Sequence, residues 1–133
     1  MDISELMISV EWLNNRNMKV KIPKVNQTDI IRIIRRDFPH EKVETIHEIL
    51  NDYNSNNESG NRRVHASILK LSNGNLNSLI EYVEKAKKDF RDVISLSENP
   101  NYWNIAFDES ITEKEKNLLI SKDWEQYQKW LST

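Results

Sequence analysis

RRVHASILKLSNGNLNSLIEYVEKAKKDFRDVISLSE, residues 62–98, is the stretch whose reading decides the fold. Leu76, Leu79, Ile80, Val83, Ala86, Phe90, Val93 and Ile94 recur at steps of three and four, the spacing of one apolar stripe along a helix of about five turns. A stripe of that length needs a partner, and Val64, Ile68, Leu69 and Leu71 supply a shorter one immediately before it. The two are separated by Asn73-Gly74, residue types that readily adopt the left-handed conformation of a helix stop. Asn75 is then placed to cap the second helix. The stretch predicts a helical hairpin over 62–96, and a hairpin is architecture rather than chemistry.

Working outward, composition agrees with a helical chain. The 133 residues suit one domain with its own core, and only two glycines and three prolines are present, too few for a sheet with many tight turns. We therefore expect an all-α, single-domain bundle over 1–133, with about five to six helices and an extended N-terminal arm.

Upstream, Ile3, Leu6, Met7, Val10 and Leu13 fit a helical face behind Asp2. Residues 18–25 (MKVKIPKV) alternate around Pro23 and read as the extended arm, because a lone strand with an internal proline has no visible pairing partner. Asn26 or Thr28 caps a helix over Asp29–Asp37, in which Ile30, Ile31, Ile33 and Ile34 make most of the circumference apolar. Such a helix should be central. Pro39 stops it and opens the next, which carries Val43, Ile46, Ile49, Leu50 and Tyr53. Residues 54–61 (NSNNESGN) form the one low-complexity segment and predict an exposed, mobile loop.

Downstream, Tyr102, Trp103, Ile105 and Phe107 follow Pro100 without a period, and their aromatics are expected to pin the segment to the core. Thr112-x-x-Glu115 is a capping box in front of a helix over 112–131, with Leu119, Ile120, Trp124, Tyr127, Trp130 and Leu131 along one face.

Charge limits the function. Nineteen basic against 21 acidic side chains, spread along the chain, make no single-sign field to attract nucleic acid or an anionic membrane. Arg32, Arg35 and Arg36, or Arg62 and Arg63, could hold phosphates. Yet Asn75–Ser95 carries Glu81, Glu84, Asp89 and Asp92 against Lys85, Lys87, Lys88 and Arg91, so the longest helix offers no basic face to a DNA groove. No cysteine is present, which excludes disulfide, thiolate and cysteine-ligated metal chemistry. His40, Glu44 and His47 share a helical face, but the spacing is not H-E-x-x-H and no third ligand is indicated, so no metal or cofactor is expected. His65 reads as a surface residue of its helix.

The start, MDISELMISVEWLNNRN, is acidic where a secretory signal is basic, and no apolar run approaches membrane-spanning length; a cytoplasmic location follows by default. No nucleophile with a base, glycine-rich phosphate loop or pair of carboxylates in an apolar setting stands out, so the chain does not read as an enzyme.

Arg63-Val64, Ile68-Leu69-Lys70-Leu71, Gly74-Asn75-Leu76, Tyr82-Val83 and Ala86-Lys87-x-Asp89-Phe90-Arg91-Asp92-Val93 resemble a group of small helical bacterial proteins of uncharacterised function, over roughly Ile30 to Tyr102. The resemblance implies the fold and brings no activity. More loosely, Phe38-Pro39, Ile49-Leu50 and Ile68-Leu69 resemble ubiquitin-associated three-helix modules of the CUE type, departing from that pattern at residues 54–61.

A non-catalytic domain that contacts another protein, for example as an immunity or regulatory partner, is the reading these features support. Self-association is one form of it. Four tryptophans exceed what a small core requires, and amphipathic aromatics are typical interface anchors. Trp130, with Trp103 and Tyr102, is the expected contact set, while Trp124 at the centre of the last stripe is expected to be buried. The alternative is a small-ligand binder or accessory enzyme subunit with a pocket beneath the C-terminal helix.

Overall fold

A computed structural model describes residues 21–133 of the chain. The helix read over Ile3–Leu13 and most of the extended arm lie outside the described residues; Lys21–Asn26 carry no regular secondary structure. Five α-helices follow: α1 (Gln27–Asp37), α2 (Val43–Asn51), α3 (Glu58–Ser72), α4 (Leu76–Glu98) and α5 (Glu113–Ser132), with a 3-10 turn (His40–Lys42) leading into α2. No strand occurs among the described residues, so the all-α class holds. They fall into two compact units, Lys24–Ser97 and residues 21–23 with Glu98–Thr133.

In the first unit, α1 begins two residues earlier than expected because Asn26, not Thr28, caps it. The Asn26 side chain accepts from the Asp29 N–H at 2.8 Å and the Asp29 carboxylate accepts from the Asn26 N–H at 3.1 Å, satisfying two otherwise orphaned donors. Ile30, Ile33 and Ile34 are buried, and α1 packs against both α2 and α3. The helix ends at Asp37, before Pro39, as the proline requires.

The segment 54–61 is exposed in its first half, but its second half is the first turn of α3. Asn57 caps that helix through Gly60 N–H at 2.8 Å. Asn61 reaches back, accepting from the Ser55 N–H at 2.7 Å and donating to Asn54 at 2.8 Å. A polar composition concealed a cap, because asparagine and serine are favoured in loops and at helix starts for the same reason: their side chains bond nearby backbone.

The reversal from α3 to α4 matches its sequence. Asn73 (φ 49°) and Gly74 (φ 77°) are both left-handed, and Asn75 caps α4 by accepting from the Ser78 N–H at 2.9 Å. A β-carbon at Gly74 would lie 2.8 Å from the Asp37 carbonyl oxygen, so the turn sits directly on the end of α1.

Two expectations for α4 are corrected. The helix is interrupted at Asp89, whose backbone (φ −154°, ψ 98°) is extended. The Asp89 carboxylate accepts from the Arg91 N–H and from its guanidinium, all at 3.1 Å, which makes Asp89 the cap of a second helical segment. The second correction concerns the stripe. Leu79, Val83, Ala86, Phe90, Val93 and Ile94 are buried as expected, whereas Ile80 is 45% exposed. Adjacent helical residues point about 100° apart, so with Leu79 facing inward its neighbour turns out.

In the second unit, Tyr102, Ala106 and Ile120 form a buried cluster with Ile22, Ile105 and Leu119 around it. The expectation that aromatics pin residues 100–107 is met by Tyr102 alone: Phe107 is 71% exposed and Trp103 is exposed. Polar groups supply the remaining anchors. The fully buried Asp123 carboxylate accepts from the Tyr102 N–H at 2.8 Å and from the side chain and N–H of Asn101. The buried Lys116 ammonium donates to the Ala106 carbonyl at 2.9 Å.

Gly74→Ala is expected to destabilise by more than about 1–2 kcal/mol, the cost of a left-handed L-residue alone, because the new methyl also meets the Asp37 carbonyl. Phe90→Ala should cost about 3–5 kcal/mol, and Ile80→Ala less than about 0.5 kcal/mol. Urea unfolding of the three variants measures all three values; equal losses at Phe90 and Ile80 would contradict the assigned face of α4.

Candidate functional site

Surface concavities in the unit Lys24–Ser97 bring together side chains able to contact a ligand; one of about 400 Å³ runs along α4 past Tyr82, Lys85, Lys88 and Leu96, and two others lie between helices. The first is a polar groove of about 380 Å³ lined from α1, α2 and α3, with Ile30 and Leu50 as its apolar floor and His47, Asn51, Glu58, Arg62 and His65 around them. His65 corrects the sequence reading. It is buried rather than on the surface, and its Nε2 lies 2.8 Å from the Tyr53 carbonyl. A carbonyl only accepts, so the ring proton is on Nε2. The Tyr53 ring meets the imidazole edge-on at 6.2 Å. Burial pushes the His65 pKa below its ordinary value, the Tyr53 and Leu50 carbonyls oppose that shift, and the nearby His47 adds to it.

Arg62 closes one side of this groove. Its Nε donates to the Val25 carbonyl at 3.2 Å, tying α3 to the residues before α1. With one guanidinium, one carboxylate, two imidazoles and several amides, the groove can donate and accept hydrogen bonds but has no dominant charge.

The second concavity is a cleft of about 350 Å³ between α2 and α4. Ile49, Ile80 and Val83 line its floor, and Glu48, Asp52 and Glu84 stand around them. The Lys87 ammonium bridges the two helices, 2.9 Å from Asp52 and 3.2 Å from Glu84. The hydrogen bond to Asp52 and then that to Glu84 raise its pKa and hold it protonated.

The residues singled out from sequence are scattered. Tyr102 is fully buried and offers no side-chain surface to a partner, which corrects its place in the contact set. Its period-free surroundings gave no inward or outward face to read. Trp130 is half-buried against the Tyr127 ring, centroids 5.5 Å apart. Trp103 remains exposed at 37%. Trp124, expected to be buried, is half-buried, with the Lys21 ammonium over its ring at 5.3 Å.

Most of the clustered arginines are engaged internally: Arg32 pairs with Asp29 at 3.3 Å, Arg36 with Asp37 at 2.9 Å, Arg62 donates to the Val25 carbonyl and Arg63 is buried, while Arg35 is exposed. Among the described residues no group of three or more histidines and carboxylates is placed to hold a metal ion, and no helix is long and apolar enough to cross a membrane. His65, Ile80 and the acidic rim were not distinguishable in sequence. An isoleucine in an apolar stripe and glutamates on a helix carry no sign of lying across a cleft from each other.

No protein-family model, no curated protein and no solved structure matches this chain.

The depressed His65 pKa sets a pH dependence with a definite sign. Above the unfolded value of 6.5 the ring is neutral in both states and costs nothing. As pH falls below it, the unfolded chain takes up a proton that the folded chain resists, so stability drops until the folded pKa is passed. The wild type should therefore lose stability as pH falls through about 6.5, and His65→Gln should lose less over the same range. Urea midpoints across that range measure the difference; parallel profiles would contradict it.

Proposed function

We propose that this chain is a non-catalytic protein-binding domain, of the kind that serves as an immunity or regulatory partner. The observation that carries the reading is the cleft between α2 and α4. Ile80 is a large aliphatic side chain held 45% exposed on an ordered helix, with Ile49 and Val83 beside it and charged residues at the edge. An apolar centre with a polar rim is the anatomy of a protein interface. Trp103, also exposed, is a second amphipathic side chain suited to such contacts.

A small-ligand binder is the second reading, favoured by the polar groove around His47, His65 and Arg62. That groove is lined by α1, α2 and α3, rather than by the C-terminal helix on which the sequence reading set a pocket.

Affinity purification of the tagged chain from its source cell, wild type beside Ile80→Asp, tests the first reading. A stoichiometric protein that accompanies the wild type and is lost from a folded Ile80→Asp is the expected result. A small molecule released from the purified wild type, retained by Ile80→Asp and lost from His47→Ala, would favour the second reading instead.

A further inference from the structure

We infer that the α2–α4 cleft takes a basic amphipathic segment of its protein partner, with an aliphatic side chain inserted against Ile80 and lysines or arginines lying over the rim. The inference rests on the protein-binding reading and adds the chemistry of the partner.

The floor sets the first requirement. Ile80 and the half-buried Ile49 present aliphatic surface above the buried Val83, and a cleft of about 350 Å³ has room for side chains rather than for a folded element. Burying one aliphatic side chain there removes Ile80 from water together with its partner, a gain that grows with the apolar surface covered.

The rim sets the second. Glu48, Asp52 and Glu84 place three carboxylates around that floor, against the single ammonium of Lys87. Lys87 satisfies Asp52 and Glu84 together but leaves a surplus of two negative charges, since one ammonium balances one carboxylate. Glu48 stands outside that bridge. Two of the three acids, Glu48 and Asp52, lie at the C-terminal end of α2, where the helix dipole already contributes negative potential. Helix α2 has no basic residue in its last turn to offset it. The potential over the cleft is therefore negative from side chains and backbone alike, and a cationic segment is the complement. The same field repels nucleic acid and anionic membranes.

The probe is a synthetic amphipathic peptide with leucines on one helical face and lysines elsewhere, titrated against the full chain by fluorescence anisotropy. Two control peptides replace the lysines with glutamate or the leucines with aspartate. The lysine–leucine peptide should bind and both controls should fail. Raising salt from about 50 to about 300 mM should weaken binding severalfold. Glu48→Lys should weaken it about tenfold, and amide NMR shifts should centre on Ile49, Ile80 and Val83. Ile80→Asp should abolish binding; Glu48→Lys, a change at an exposed side chain, keeps the test decisive if Ile80→Asp fails to fold.

Equal affinity of Glu48→Lys and wild type, equal binding of the glutamate peptide, or shifts centred elsewhere would overturn the inference. So would association with anionic vesicles through Ile80, or a concentration-dependent dimer that Ile80→Asp dissolves. If the cellular partner is lost from Ile80→Asp while the basic peptide never binds, protein binding stands and the basic partner falls. If neither binds through Ile80, both fall.

Discussion

The left-handed turn at Asn73-Gly74 is the constraint on which the arrangement of the first unit depends. Two successive residues with positive φ end α3 and reverse the chain within a few residues, and the missing side chain of Gly74 lets the backbone sit against the Asp37 carbonyl at the end of α1. One turn therefore fixes the α3–α4 hairpin and docks it onto the isoleucine-rich helix. The rotation of α4 decides which apolar residues are covered: Leu79 and Val83 face inward, and Ile80 is left at the surface.

The interruption of α4 at Asp89 shows how a local bond overrides a long periodic signal. The sequence around it is made of good helix formers, and propagation through Asp89 would add a backbone hydrogen bond. Against that, the Asp89 carboxylate accepts from the Arg91 N–H and from Nε and Nη2 of the Arg91 guanidinium, and the Arg91 side chain holds the Asp89 carboxyl below the usual carboxylate range. Aspartate is a strong N-cap residue for the same reason that it is a poor interior one. Phe90, Val93 and Ile94 are still buried on the far side of the break, so apolar periodicity alone could not reveal it.

What was legible follows the range of the forces involved. Caps and turns act within a few residues, and those at Asn75, Thr112 and Asn73-Gly74 were readable because donor and acceptor are sequence neighbours; at α1 the sequence left Asn26 and Thr28 open, and the caps at Asn57 and Asp89 were hidden by a polar run and an apolar stripe. Helix existence was readable from apolar spacing. The buried polar groups were not. His65 bonds a carbonyl twelve residues upstream, Lys116 one ten residues upstream, and Asp123 backbone N–H groups 21 and 22 residues away. A histidine, a lysine and an aspartate on polar-looking helices carry no mark of such partners, since any backbone group serves equally well. Each is a polar side chain whose burial is tolerable only because a bond compensates it.

Helix-end charges follow the macrodipole in three of the five helices, and α2 and α4, which line the cleft, depart from it. Helix α1 opens with Asp29 and closes with Arg35 and Arg36; α3 opens with Glu58 and closes with Lys70; α5 opens with Glu113 and Glu115 and closes with Lys129. All three obey the macrodipole rule that favours acids at the start and bases at the end. Helix α2 obeys it at the start, with Glu44, and departs from it at the end, where no base stands and Glu48 and Asp52 follow instead. Lys87 answers part of this from across the cleft rather than from the helix itself. Helix α4 also lacks an acid in its first turn and a base in its last, but only in α2 do the unbalanced end charges border a cleft with an exposed isoleucine. The departure coincides with the exposed Ile80 and its aliphatic floor, so the locally unfavourable charge and the uncovered apolar surface belong to one surface feature.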